Sequence, residues 1–288
     1  MRYRIAVVGP GRVGTLLAVA LARAGHRVTA VAGGRPEARA RVAAAVAGVR
    51  GFDTPVEAVP HADLLVLAVP DDALEAVVRD LARADGLHAA LHLVHVAGSR
   101  GLAPLDLARR AGARVAACHP AMTVPSEAVE PERLHGVAWA VTAAPADRDW
   151  AHDLVRDLGG DPVDVPESAR VLYHAGLTLG SNAAAAAVAA ARQALLAAGI
   201  RHPETFLAPL AEASVANVLR DGAAALTGPV VRGDTGTIAR HLDTLAADLP
   251  GLAATYRRLT AAVLDQAAPA VDPATVVALR QLLEEEST

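Results

Sequence analysis

Gly9-Pro10-Gly11-Arg12-Val13-Gly14 spells G-x-G-x-x-G between a short apolar run, Ile5–Val8, and a helical pattern, Val13–Ala24. In that setting each glycine has a task. Gly9 makes the tight turn, Gly11 leaves room for a pyrophosphate, and Gly14 lets the helix pack closely on the strand. The helix N-terminus, starting at Arg12 and Val13, supplies backbone N–H groups and a partial positive charge to the phosphates. The pattern predicts a dinucleotide site. An NAD site usually carries Asp or Glu at the end of the second strand, whereas an NADP site uses Arg for the 2′-phosphate. Here Val28–Val31 runs into Ala32-Gly33-Gly34-Arg35, with Arg39 one helical turn on and no acid before Glu37. Gly33 and Gly34 leave space, and Arg35 can form charge-assisted bonds to a phosphate, which favours NADPH over NAD. The alternative is that Arg35 and Arg39 decorate a solvated helix face.

Further polar groups fall at strand ends. Val69-Pro70-Asp71-Asp72 follows Leu64–Ala68 at its carboxyl end, where the nicotinamide half of a dinucleotide lies. Pro70 fixes the turn, and Asp71 is expected to cap the next helix. Ser99 and the peptides around Gly98 close the following strand, where they can contact nicotinamide or substrate, or form a plain loop. His119, in Cys118-His119-Pro120, ends another strand as a candidate acid or anchor. His174, Ser181 and Asn182 are spaced to line one helix stripe, either solvated or facing a substrate between domains. Leu226–Asp234 breaks the helical region with Gly-Pro and Arg-Gly-Asp. There Arg232 can grip a carboxylate in a bidentate fork with Asp234 orienting it, while Asp234 can also cap the helix from Thr235 onward. Adjacent Cys118 and His119 cannot readily chelate one metal, and His88, His92 and His95 lack acidic partners at useful spacing, so no metal site is expected.

The 27 basic residues are all arginine. GC-rich codon bias accounts for that, yet it removes lysine as general acid, general base or Schiff-base former. The elements that position the candidates follow from periodicity. Ile5–Val8, Val28–Val31, Leu64–Ala68, Leu91–His95, Arg114–Cys118, Val137–Val141 and Asp161–Val165 read as strands, mostly buried on both faces. Between them lie amphipathic segments such as Pro36–Ala47 and Asp71–Ala82. The alternation predicts an α/β Rossmann domain with a doubly wound, mainly parallel sheet over residues 1–165. From Pro166 the pattern turns helical, at about 168–198, 204–219, 235–247, 250–268 and 272–284, predicting an all-α domain over 166–288 and a solvated tail at 284–288.

With 288 residues, 53% of them hydrophobic, the chain can bury a sizeable core, built from Ala, Leu and Val because aromatics make up 2%. A net charge of −4 with scattered arginines argues against nucleic-acid or anionic-membrane partners. The lone Cys118 excludes an internal disulfide. The alanine-rich stretch 182–199 is interrupted by Arg192-Gln193 and suits a closely packed helix better than a membrane span. A cytoplasmic protein without a signal peptide is expected, dimerising through the helix at 182–198.

Gly9–Gly14, Val69-Pro70-Asp71, His119-Pro120, Tyr173-His174-Ala175, Asn182 and the Leu226–Asp234 block together resemble the Rossmann-like and DUF2520 domain-containing proteins, over roughly residues 4–265. That family is similar in build to 6-phosphogluconate-dehydrogenase-like enzymes, among them ketopantoate reductases, pyrroline-5-carboxylate reductases and 3-hydroxyacid dehydrogenases. The resemblance implies a helical domain that dimerises and a small substrate held between domains. It also implies ketopantoate as the first 2-keto acid to test. The usual ketopantoate reductases and the hydroxyacid dehydrogenases use an active-site lysine as proton donor, and this chain has none. His174 first, then His119, must protonate the alkoxide, with Asn182 on the carbonyl or carboxamide and Arg232 on the substrate acid. Two other readings stay open: reduction of an imine, which is already basic and needs less acid catalysis, and an NADP(H)-binding sensor that transfers no hydride.

Overall fold

The computed structural model describes residues 2–124 and 130–284. It divides into two compact units, residues 1–178 and 179–288. Of the expected tail, residues 285–288 lie outside the described residues.

The first unit is built on one eight-stranded sheet in the order β3-β2-β1-β4-β5-β6-β7-β8. The strands are β1 (Arg4–Val8), β2 (Arg27–Ala32), β3 (Arg50–Phe52), β4 (Leu64–Leu67), β5 (His92–His95), β6 (Arg114–Pro120), β7 (Ala138–Ala143) and β8 (Asp161–Asp164). Neighbouring strands pair in parallel except β6 and β7, which are antiparallel. Its helices are α1 (Arg12–Arg23), α2 (Pro36–Ala45), α3 (Pro55–Ala58), α4 (Leu74–Arg83), α5 (Asp106–Arg110), α6 (Arg148–Asp157) and α7 (Arg170–Thr178). Alternate strand residues feed two cores. Ile5, Val7, Leu64, Val66 and Cys118 pack with α1 and α6 on one face, and Ala6, Val8, Leu65, Leu67 and Val115 with α3, α4 and α5 on the other. Burial on both faces explains why the strands read as unbroken apolar runs.

Two local expectations change, and one strand is added: β3, three residues containing a glycine, carries no periodicity and is absent from the strands read in the sequence. The α4 helix begins at Leu74 behind Ala73 and has no side-chain cap, so Asp71 is not its N-cap. The helical pattern at 168–198 is not one helix. It comprises α7, a π-helical turn at Leu179–Ala183, and α8 (Ala184–Ala197). The extra residue of a π turn breaks the 3.6-residue period, so the seven- and eight-residue spacings from His174 to Ser181 and Asn182 no longer define a stripe.

The first unit runs past Pro166 to include α7, because α7 begins with Arg170, whose side chain is 1% exposed. The second unit continues from α8 through α9 (Glu204–Asp221), α10 (Thr235–Asp248), α11 (Pro250–Ala267) and α12 (Pro273–Glu284). Val230, Ile238, Leu242, Leu264, Leu279 and Leu283 form its core. Neither α8 nor α9 contains a buried residue. Among the described residues no helix is long and apolar enough to cross a membrane.

Candidate active site

The glycine loop joins β1 to α1. Gly9 sits at φ +92°, where a Cβ would fall 2.6 Å from the Ala68 carbonyl oxygen. A Cβ on Gly14 would lie 2.0 Å from the Gly9 oxygen, so both positions admit only glycine. Around Gly11 nothing lies within 4 Å of the corresponding point, which leaves the helix N-terminus open to a ligand. Gly11 is the N-cap of α1 and its carbonyl accepts the Thr15 N–H at 2.9 Å. Arg12 and Val13 form the first turn.

The turn after β2 adjoins this loop. Gly33 and Gly34 both have positive φ, +75° and +63°, and Gly34 rests 3.1 Å from the Pro10 ring by the same Cβ measure. Arg39 donates to the Gly33 and Gly34 carbonyls at 3.2 and 2.8 Å and pairs with Asp53. Its guanidinium therefore braces the turn. Arg35, the N-cap of α2, is exposed and is the cation this turn presents to solvent. Open space at Gly11, two left-handed glycines and an exposed guanidinium fit a dinucleotide bearing an extra phosphate.

A second cluster forms at the carboxyl ends of β4, β5 and β6. Val69 and Pro70 follow β4, and Asp71 accepts a hydrogen bond from the Ser99 hydroxyl at 2.7 Å. That bond ties the loop after β5 to the loop after β4. His95 is fully buried; its Nδ1 accepts from the Ala97 N–H at 3.2 Å while Nε2 lies 2.7 Å from the Gly101 carbonyl. A carbonyl only accepts, so His95 is the Nε2–H tautomer, and burial lowers its pKa to about 4. It shapes the loop that carries Gly98 and Ser99.

Two imidazoles converge on Gly98. A Cβ there would fall 2.3 Å from His174 Cδ2 and 3.0 Å from His119 Nε2. The His119 and His174 rings stand edge to face, 5.8 Å apart at 85°. His119 Nδ1 lies 2.9 Å from the Tyr173 hydroxyl. Burial first, then the neighbouring His174 and Arg170, lowers the His119 pKa to about 4, so this ring is neutral at physiological pH. Burial raises the Tyr173 pKa, keeping its phenol protonated.

Arg170 positions the cluster. Its guanidinium donates to Thr142 Oγ1 at 2.8 Å, to the Ala117 and Ala140 carbonyls at 2.5 and 3.1 Å, and more weakly to the Gly98 carbonyl at 3.5 Å. All four acceptors are uncharged. One helical turn later, Tyr173 and His174 follow at i+3 and i+4, on the face that Arg170 points into the unit. Sequence reasoning missed Arg170 as one arginine among 27. Tyr173 was legible only as the neighbour of His174.

The remaining candidates belong to the second unit. Asn182 is exposed in the π-helical turn, and Arg232 is exposed after the Gly228-Pro229 break. Asp234 caps α10, its Oδ1 accepting the Thr237 N–H at 3.0 Å. A cavity of about 560 Å³, bordered by Leu102, Arg109, Thr142, Arg148 and Glu167, involves none of the expected site residues. Among the described residues no group of three or more His, Cys, Asp or Glu could hold a metal ion.

Family profiles match in two segments: a Rossmann-like domain over residues 1–120 and the domain of unknown function DUF2520 over residues 137–263. A search of curated proteins finds no match. Solved structures resemble the fold along nearly the whole chain. A candidate NADP oxidoreductase from Bacteroides fragilis is 22% identical with a TM-score of 0.75, covering 92% of this chain and 98% of that one. An imine reductase from Myxococcus stipitatus, in complex with NADP+, is 19% identical with a TM-score of 0.69, covering 98% and 100%. Pyrroline carboxylate reductase from Plasmodium falciparum, with NADP bound, is 14% identical with a TM-score of 0.56, covering 93% and 98%.

Proposed function

From the premise that this chain belongs to the Rossmann-like and DUF2520 domain-containing proteins, we propose that it is an NADPH-dependent reductase of a small 2-keto acid, with ketopantoate the first to test. The observation that carries this reading is the convergence of His119 and His174 on Gly98, with the Tyr173 phenol bonded to His119. It lies at the same sheet edge as the Gly9–Gly14 loop, outside the carboxyl ends of the strands, where doubly wound sheets bind their ligands.

Gly9, Gly11 and Gly14 with the first turn of α1 would hold the pyrophosphate, and Gly34 and Arg35 the 2′-phosphate. Val69, Pro70 and Ser99 would border the nicotinamide. When bound, NADPH supplies the hydride for the carbonyl carbon. The chain's own task is to move a proton to the carbonyl oxygen, and with no lysine that task falls to His174. His119 is neutral and hydrogen-bonded to Tyr173, so it orients its neighbours and relays a proton rather than acting as a standing cation. The expected roles of Asn182 on the carbonyl and Arg232 on the substrate carboxylate remain part of the proposal, with Asp234 limited to its cap in α10.

Oxidation of NADPH is the test, with ketopantoate, other 2-keto acids and pyrroline carboxylates as substrates. Turnover that falls sharply in H174A, and whose KM rises in R232A, supports the reading. Turnover only with cyclic imines moves it to imine reduction, which the likeness to the Myxococcus stipitatus and Plasmodium falciparum enzymes favours as the second reading. Tight NADPH binding without turnover on any of these substrates supports the sensor. The proposal includes a cytoplasmic homodimer, supported by one buried cysteine and by the apolar surface of α8 and α9.

A further inference from the structure

At the amino-terminal ends of the strands, away from the Gly9 loop, Arg4, Arg27 and Arg50 line one cavity of about 230 Å³ with Thr29, Gly48 and His61. We infer that this cavity is a second anion site, built for phosphate or pyrophosphate and independent of the dinucleotide.

Arg4 and Arg27 are direct partners in the β1–β2 ladder, so their side chains leave the same face of the sheet. Like charges placed directly opposite destabilise a strand pair unless a counter-charge intervenes. Asp63 provides one for Arg4 alone: it accepts from Arg4 Nε at 3.1 Å, from Nη2 at 2.6 Å and from the backbone N–H at 3.2 Å. Among the described residues no carboxylate pairs with Arg27 or Arg50. Arg50 is held instead by two rings. Its Nη2 reaches the His61 ring, and its guanidinium lies 5.1 Å over the Phe52 ring. Phe52 and His61 stack at 5.0 Å and 14°, and the Thr29 hydroxyl fixes the His61 backbone by donating to its carbonyl at 2.7 Å.

The cavity is thus lined by three arginines, of which only Arg4 is paired with a carboxylate, Asp63, and Arg50 and His61 are in mutual contact. Guanidinium forks match phosphate oxygens in pairs. The volume falls below the ~300 Å³ at which pockets begin to take drug-sized molecules, which selects a small anion over a nucleoside. The length of β1 separates the cavity from the Gly9 loop by roughly 15 Å, at ~3.3 Å per strand residue, so the two sites cannot share one phosphate.

Calorimetric titration of the full chain with pyrophosphate, and separately with inorganic phosphate, tests the inference. Pyrophosphate should bind more tightly than phosphate, with affinity falling as salt rises. In R27Q/R50Q this binding should weaken at least tenfold, while R35A, altered at the dinucleotide turn, retains it. R27Q alone removes a side chain without a hydrogen bond among the described residues, so its loss of affinity cannot be ascribed to misfolding. Absence of binding by the unaltered chain, or equal affinity in R27Q/R50Q, overturns the inference.

Discussion

Gly98 separates what a residue contributes by being small from what it contributes by being flexible. Its φ lies outside the left-handed region, so alanine costs no backbone strain there, yet the added methyl meets His174 and His119. The nearest atoms belong to a half-exposed imidazole that can rotate aside. G98A should therefore fold with nearly unchanged thermal stability while losing at least tenfold in kcat. A large drop in melting temperature would show that Gly98 serves packing instead. Arg35 is the residue-scale test of cofactor choice. Loss of a charged hydrogen-bond partner costs ~1–3 kcal/mol, so R35A should weaken NADPH binding by roughly one to two orders of magnitude and leave NADH unaffected. Equal losses for both cofactors would remove Arg35 from the 2′-phosphate site. The glycines of the loop were legible in the sequence because their spacing encodes backbone geometry. Arg39 was not, since its commitment to Gly33, Gly34 and Asp53 depends on where β3 ends.

Among the elements, α7 decides whether the histidines meet. It begins at a buried cation whose four acceptors come from β6, β7 and the loop after β5, and no local sequence pattern could announce such partners. The change of composition at Pro166 is real, but it marks where strands stop; the first unit extends to Thr178 because Arg170 is bonded to the sheet. R170M leaves those acceptors unpaired in a buried site, at about 1–3 kcal/mol for each one that water cannot reach. The expected result is destabilisation of a few kcal/mol by chemical denaturation, together with loss of turnover. R170K, which keeps the charge but offers fewer donors, should recover part of the stability and little of the activity. Full activity in R170M would separate α7 from the site. The strands and most helices were legible because burial on two faces or one leaves distinct periods. The three-residue β3, the late start of α4 and the π turn were not, because each is fixed by tertiary pairing or by a single inserted residue.

At the scale of the molecule, protons and apolar surface set the two largest effects. His95 and His119 both titrate near 4 in the folded chain against an ordinary 6.5. Between those values the unfolded chain binds more protons than the native one, so stability is complete above about 6.5 and declines as pH falls towards 4. For the fully buried His95 alone the effect is about 3 kcal/mol. Denaturation midpoints should fall over that window, and H95N should flatten the slope whatever its stability at neutral pH. The second unit carries the other effect. Its core is made by α10, α11 and α12 with Val230, while Phe206, Leu210 and Leu219 of α9 stand 59%, 64% and 83% exposed. Leaving such side chains in water forgoes ~1.5–3 kcal/mol each; Phe206 and Leu210, four residues apart, share one face of α9, and Leu219 lies on the opposite face. The proposed homodimer would cover this surface with a second copy of the chain, against the alanine-rich α8. Sedimentation equilibrium at micromolar concentration should therefore give twice the 29.4 kDa of one chain. L210E/L219E leaves the core of the unit untouched, so it should yield a folded monomer with undiminished helical signal. A mass of one chain for the unaltered protein would leave the exposed leucines without a partner and would overturn the dimer.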